Sequence, residues 1–98
     1  DAQLLGEAGC FSIVLEKIPS ALAAKVTQMV SCPVIGIGAG NQCDGQVLVL
    51  HDMLGLNQGF KPKFLRHFAA LGCEVKNAVA NYIDAVKDCS FPSIDESY

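Results

Sequence analysis

The chain has 98 residues, 51% of them hydrophobic and 17% charged, with a formal net charge of −3. That much apolar surface excludes an intrinsically disordered segment, and seven Lys and Arg against ten Asp and Glu, with no basic block, exclude the electrostatic footprint of a nucleic-acid binder. The longest nearly uncharged stretch, Val26 to Gln42, is broken by Pro33, several glycines and polar residues, so it does not read as a single membrane-spanning helix.

In chain order, Asp1 to Gly9 reads as the last two turns of a helix stopped by a glycine cap. The expectation is that the helix begins upstream and that the chain is a processed piece or fragment, the alternative being a complete small protein without its methionine. Phe11-Ser-Ile-Val-Leu15 is a short β-branched run suited to a strand covered on both faces, as in a parallel sheet flanked by helices. Ser20 then caps a helix whose apolar face is Leu22, Val26, Met29 and Val30, ending near Ser31. Cys32 to Ile37 is expected as a second buried strand and Gln46 to Leu50 as a third.

Only Gly38 to Gly45 separates the second strand from the third, whereas a parallel crossover usually needs about a dozen residues. The strand-helix-strand rhythm before it favours a parallel crossover through one helical turn at Asn41 to Asp44 over an antiparallel pair. Phe64, Phe68, Leu71, Val75, Val79, Tyr82 and Val86 recur at steps of three and four, which predicts a helical region with one face on the sheet. Pro62 would sit in its first turn, Gly72 would break it in two, and Pro92 would end it. The tail beyond Phe91 is expected to be irregular. Five cysteines, at 10, 32, 43, 73 and 89, show no C-x-x-C pair or zinc spacing. They read as buried, reduced thiols of a cytosolic protein. Three strands with helices on one side leave sheet edges that something else must cover, and the rest of a larger barrel is the simplest cover.

Glu16 follows an apolar run directly, at the carboxyl end of a strand, where α/β barrels mount catalytic groups. Burial among apolar neighbours would raise its proton affinity toward the range of a general base; pairing with a lysine or capping of the next helix is the plainer role. Gly36, Gly38 and Gly40 alternate at the strand period and leave one face bare for a ligand or a close backbone. They form neither a dinucleotide fingerprint nor a phosphate loop, and tight packing with a turn at positive φ explains them as well as ligand contact does. Asp44-Gly45 is a turn pair. His51-Asp52 would follow the third strand and supply a proton relay or metal ligand, or simply fix the loop Met53 to Gly59 by hydrogen bonds. His67 is expected solvated on the polar side of a helix, and Lys61 and Lys63 are expected as surface charges.

Leu15-Glu16-Lys-Ile-Pro19, Pro33-Val-Ile-Gly-Ile-Gly-Ala-Gly40 and Asp44-Gly-Gln-Val-Leu-Val-Leu-His-Asp-Met-Leu-Gly55 together resemble the ketopantoate hydroxymethyltransferase family. The likeness continues through Phe60-Lys-Pro-Lys-Phe64 and the tail Phe91 to Tyr98, and so covers essentially the whole chain. The resemblance implies an α/β fold, the C-terminal part of a (β/α)8 TIM barrel, with strands six to eight and the C-terminal helices in one partial domain over residues 1–98. It implies transfer of a hydroxymethyl group from 5,10-methylenetetrahydrofolate to 3-methyl-2-oxobutanoate with Mg²⁺, in a cytoplasmic homo-oligomer, a decamer. The family's proton acceptor maps onto Glu16. The motifs for the metal ligands and the oxoacid lysine match nothing here, so no metal-, substrate- or cofactor-binding residue is assigned, and Asp44, His51 and Asp52 are not put in their place. The 98 residues alone are expected to be inactive. Two rival readings are a barrel enzyme holding a phosphate or flavin at Gly36 to Gly40, and a non-catalytic module making oligomer contacts through its C-terminal helices.

Overall fold

A computed structural model describes residues 1–57, 59 and 61–98, so Phe60 of the Phe60 to Phe64 stretch lies outside the described residues. The chain is mixed α/β and divides into two compact units, Asp1–Val49 with Pro62–Leu65, and Leu50–Lys61 with Arg66–Tyr98.

The first unit holds helix α1 (Ala2–Glu7), strand β1 (Ile13–Glu16), helix α2 (Ser20–Met29), strand β2 (Val34–Ile37) and strand β3 (Gly45–Gln46). Gly9, at φ +90, ends α1 as expected, with its N–H on the Gly6 carbonyl and that of Cys10 on Leu5. The three strands form one parallel sheet in the order β1-β2-β3. Ile13 pairs with Val34 and Glu16 with Ile37, while Ile35 pairs with Gly45. The parallel crossover is therefore correct, but Asn41 to Asp44 forms no helical turn. An irregular loop suffices because Asp44 Oδ2 accepts the Val34 N–H at 2.8 Å, pulling the far end of the crossover back to the start of β2.

Several boundaries differ from expectation. Phe11 is 90% exposed and lies outside β1. Pro19, not Ser20, is the N-cap of α2. The buried residue of α2 is Ala23, whereas Leu22 and Met29 are about half exposed: a small residue lets the helix axis approach the sheet closely, and the larger ones flank the contact. The apolar core of the described residues, Ile13, Ala23, Val34, Ala39 and Leu65, belongs wholly to this unit. The third strand is Gly45–Gln46; Val47 still donates its N–H to the Gly36 carbonyl at 3.0 Å, and Leu50 already begins a helix.

The second unit contains α3 (Leu50–Met53), α4 (Leu71–Lys87) and a 3-10 turn at Ile94–Glu96. The helical region begins at Leu71, not near Pro62, and Gly72 lies inside its first turn. The backbone explains the late start: the N–H groups of Phe68, Leu71 and Gly72 go to the carbonyls of Met53, Leu54 and Gly55, so this segment is spent on the turn after α3. Val75, Val79, Tyr82 and Val86 do form a stripe on α4, but they are about half exposed and α4 buries no residue. For the same reason the expectation of buried thiols fails at Cys73 and Cys89, which are exposed; Cys10, Cys32 and Cys43 are half-buried, and no disulfide forms. No described helix is long and apolar enough to cross a membrane.

The tail is more ordered than expected. Glu96 accepts the Ser93 N–H at 2.7 Å in a reciprocal capping box, and those bonds from Ser93 hold its carboxyl below the usual glutamate range. A depressed folded value means that the cap contributes fully above the ordinary glutamate pKa of about 4.3 and is lost as acid takes the pH through the lower folded value. In an NMR titration the Ser93 amide should report a midpoint below that of a free glutamate, and Ser93→Ala should move the Glu96 midpoint back up.

Candidate functional site

The parallel pairing of β1 with β2 brings Glu16 level with Ile37, at the carboxyl ends of both strands. Burial along β1 alternates: Ile13 is buried and Leu15 half-buried, while Val14 and Glu16 are exposed. Glu16 thus shares with Val14 the sheet face that the described residues leave open, and the burial expected of Glu16 is not supplied by those residues.

Lys17, directly after it, is in the left-handed region at φ 52, a conformation that costs a residue with a side chain about 1–2 kcal/mol. Its N–H donates to the Ile37 carbonyl at 2.8 Å. That bond continues the ladder one residue past the strand and fixes the reversal that leads from Glu16 to Pro19. Nothing in a lysine announces this turn; the proline two residues later is the nearest signal.

Gly38 and Gly40, at φ +65 and +80, meet both halves of the packing-and-turn explanation. A Cβ on Gly38 would lie 3.0 Å from the Phe64 ring, and one on Gly40 would lie 2.5 Å from Ser20 Cβ. Phe64 therefore lies on bare backbone at the end of β2, not on a helix face as its spacing implied. Lys17, Ser20, Gly38, Gly40, Lys63 and Phe64 line an open groove of about 520 Å³. Lys63, expected as a plain surface charge, and Lys17 both belong to it. Gln46 donates from Nε2 to the Gly40 carbonyl at 2.9 Å and ties β3 to the same loop.

His51 and Asp52 sit on α3 in the second unit and do not follow a strand. Asp52 is 9% exposed and its Oδ1 accepts from Asn57 Nδ2 at 2.9 Å, while the His51 carbonyl accepts from the Leu56 N–H. Asp52 thus fixes the loop after α3, with Asn57 as a partner that sequence reasoning missed. His67 is not on a helix, and its Nε2 is buried with no hydrogen-bond partner among the described residues, a correction to its expected solvation. Those residues contain no cluster of three or more His, Cys, Asp or Glu able to hold a metal ion.

The family model described as ketopantoate hydroxymethyltransferase matches residues 1–94. Curated relatives named 3-methyl-2-oxobutanoate hydroxymethyltransferase align along all 98 residues of the chain: those of Chlorobium phaeobacteroides and Parabacteroides distasonis at 60% identity, and that of Bacteroides fragilis at 56%. The chain spans 35%, 36% and 36% of those three proteins, about a third of their length.

Proposed function

The chain belongs to the ketopantoate hydroxymethyltransferase family, and from that premise we propose that the protein it forms part of transfers a hydroxymethyl group to 3-methyl-2-oxobutanoate in pantothenate biosynthesis. The donor in this reading is 5,10-methylenetetrahydrofolate and the product 2-dehydropantoate. Residues 1–98 are read as the C-terminal third of one (β/α)8 barrel domain, with β1, β2 and β3 as its sixth to eighth strands. The parallel sheet, and the exposure of Val14, Leu22, Val47 and Val49, support a larger structure that covers these faces. The complete protein is read as a cytoplasmic homo-oligomer, a decamer.

The observation that carries the reading is Glu16 as the last residue of a parallel strand, on its open face. A carboxylate there can take the hydrogen from the branched carbon next to the ketone. That C–H bond breaks, the proton passes to the Glu16 carboxylate, and the electron pair is left as an enolate. The enolate carbon bonds to the methylene carbon of the donor, both C–N bonds from that carbon to N5 and N10 break, and water supplies the hydroxyl group. The second hydrogen of that water and the proton held by Glu16 go to the two nitrogens of the departing tetrahydrofolate. The described residues do not fit a site for the Mg²⁺ that the resemblance implies, so its ligands are assigned to the remaining length of the protein and no step here runs through it.

The complete protein, given 3-methyl-2-oxobutanoate and 5,10-methylenetetrahydrofolate, should form 2-dehydropantoate, detected by mass spectrometry. Without the donor it should exchange the hydrogen of the branched carbon for deuterium. Absence of both product and exchange would remove the reading.

A further inference from the structure

We propose that the groove over the carboxyl ends of β1 and β2 binds a flat aromatic ligand bearing carboxylates, its ring against the Phe64 ring that Gly38 seats and its anionic end against Lys17 and Lys63. Within the reaction proposed above, on which this identification rests, that ligand is the folate one-carbon donor.

The floor of the groove is suited to a flat group. The sides of Gly38 and Gly40 that lack a Cβ are taken by the Phe64 ring, 3.0 Å from the Gly38 Cβ position, and by Ser20, so the glycines seat Phe64 at the end of β2 and the ring is the flat surface left to a ligand. Phe64 is still 37% exposed, so part of its ring remains open for stacking. The rim is suited to an anion. Lys17 and Lys63 both line the groove, no acidic side chain does, and neither lysine is in an ion pair among the described residues. In a chain whose net charge is −3, two lysines in the lining of one groove run against the overall balance and point to a negative partner. The first turn of α2, at Ser20, forms one wall, and its partial positive charge has the same sign as the lysines.

Position links the groove to the chemistry. Lys17 is adjacent to Glu16, and its left-handed turn, fixed by the bond to Ile37, takes it out of the strand direction and into the groove lining. A ligand lying here would start beside the proposed base. The volume of about 520 Å³ falls in the range of small-molecule sites, about 300–1,000 Å³.

The test uses the complete protein and its variants Lys17→Ala, Lys63→Ala and the double substitution, with Lys→Arg at each position as the conservative control. Affinity for tetrahydrofolate, followed by fluorescence, should fall about tenfold per lysine, the scale of one charge-assisted contact, and the Arg variants should recover most of it. The KM for the donor should rise in parallel, more steeply for donors carrying several γ-linked glutamates than for one, while the KM for 3-methyl-2-oxobutanoate moves less than twofold. The fluorescence titration is independent of turnover, so it decides the groove even if the proposed reaction fails. Tetrahydrofolate affinity unchanged in the double variant would overturn the proposal. So would inorganic phosphate binding that the double variant loses while tetrahydrofolate binding stays intact, since the groove would then be a phosphate site.

Discussion

Glu16→Gln in the complete protein should lower kcat by about a thousandfold, within the 10²–10⁴ range of a positioned general base. Glutamine keeps the length, shape and hydrogen-bonding edge of the side chain but cannot hold the proton taken from carbon, so the loss falls on the step that makes the enolate. Deuterium exchange at the branched carbon, measured without donor, should fall by the same factor. Folding should be untouched: Gln keeps the size of the side chain, and the strand's ladder to Ile37 is made by backbone. The thermal midpoint should stay within about 2 °C, as expected of a change within about 0.5 kcal/mol. Glu16→Asp, which keeps the charge but withdraws it by one methylene, should fall between the two. A Gln variant that keeps more than a tenth of the turnover would remove Glu16 from the role of base. If Glu16 served only to cap or pair, Gln and Asp would both shift stability and leave the exchange rate alone.

The order of helix and strands in the first unit was legible because its signals are local. A β-branched run makes β1, proline and glycine punctuate the turns, and two such runs separated by a helix give a parallel pair. What the sequence left hidden depends on partners distant along the chain. Val47-Leu48-Val49 has strand composition, yet β3 is only Gly45–Gln46: the last bond to β2 is from the Val47 N–H to the Gly36 carbonyl, and the chain turns into a helix at Leu50. Phe64 and Phe68 extend the spacing of α4 perfectly on paper, but Phe64 is taken by the bare backbone of Gly38, and the Phe68 N–H by the Met53 carbonyl. Periodicity reports which residues would share a helix face; it does not report a competing partner.

The candidate site divides in the same way. Glu16 at a strand terminus was readable from the largely apolar run Phe11 to Leu15 before it, and the glycines from their spacing. The left-handed Lys17 was not readable, because that conformation is imposed on the lysine by the bond to Ile37 and by the approach to Pro19. Nor was the groove, which joins Lys17 to Lys63 and Phe64 from a segment more than forty positions later. The expected burial of Glu16 failed for a related reason: apolar neighbours in sequence flank a strand residue, whereas its face is covered only by whatever packs opposite.

Gly40→Ala is expected to be the most destabilising single-methyl change in the first unit. Two costs coincide there. At φ +80 an alanine occupies a region that an L residue enters at about 1–2 kcal/mol. Its Cβ would also stand 2.5 Å from Ser20 Cβ and 3.2 Å from Ser20 Cα. Rotating a side chain cannot relieve that contact, since Cα and Cβ are fixed by the first turn of α2, so the crossover loop or the helix must move; such overpacking costs about 1–3 kcal/mol. The sum, about 3 kcal/mol, should lower the thermal midpoint of the complete protein by roughly 6–12 °C. Ser20→Gly in the same background removes the Cβ contact but not the backbone strain, and should return about half of the loss. Gly6→Ala is the matched control: nothing lies within 4 Å of its Cβ position in α1, and alanine there should be neutral or stabilising by up to about 1 kcal/mol. If Gly40→Ala melted with the parent protein, the loop after β2 would not be seated against the start of α2. The groove that depends on that seating would lose its wall, and the two lysines would lose the shared surface that makes them a pair.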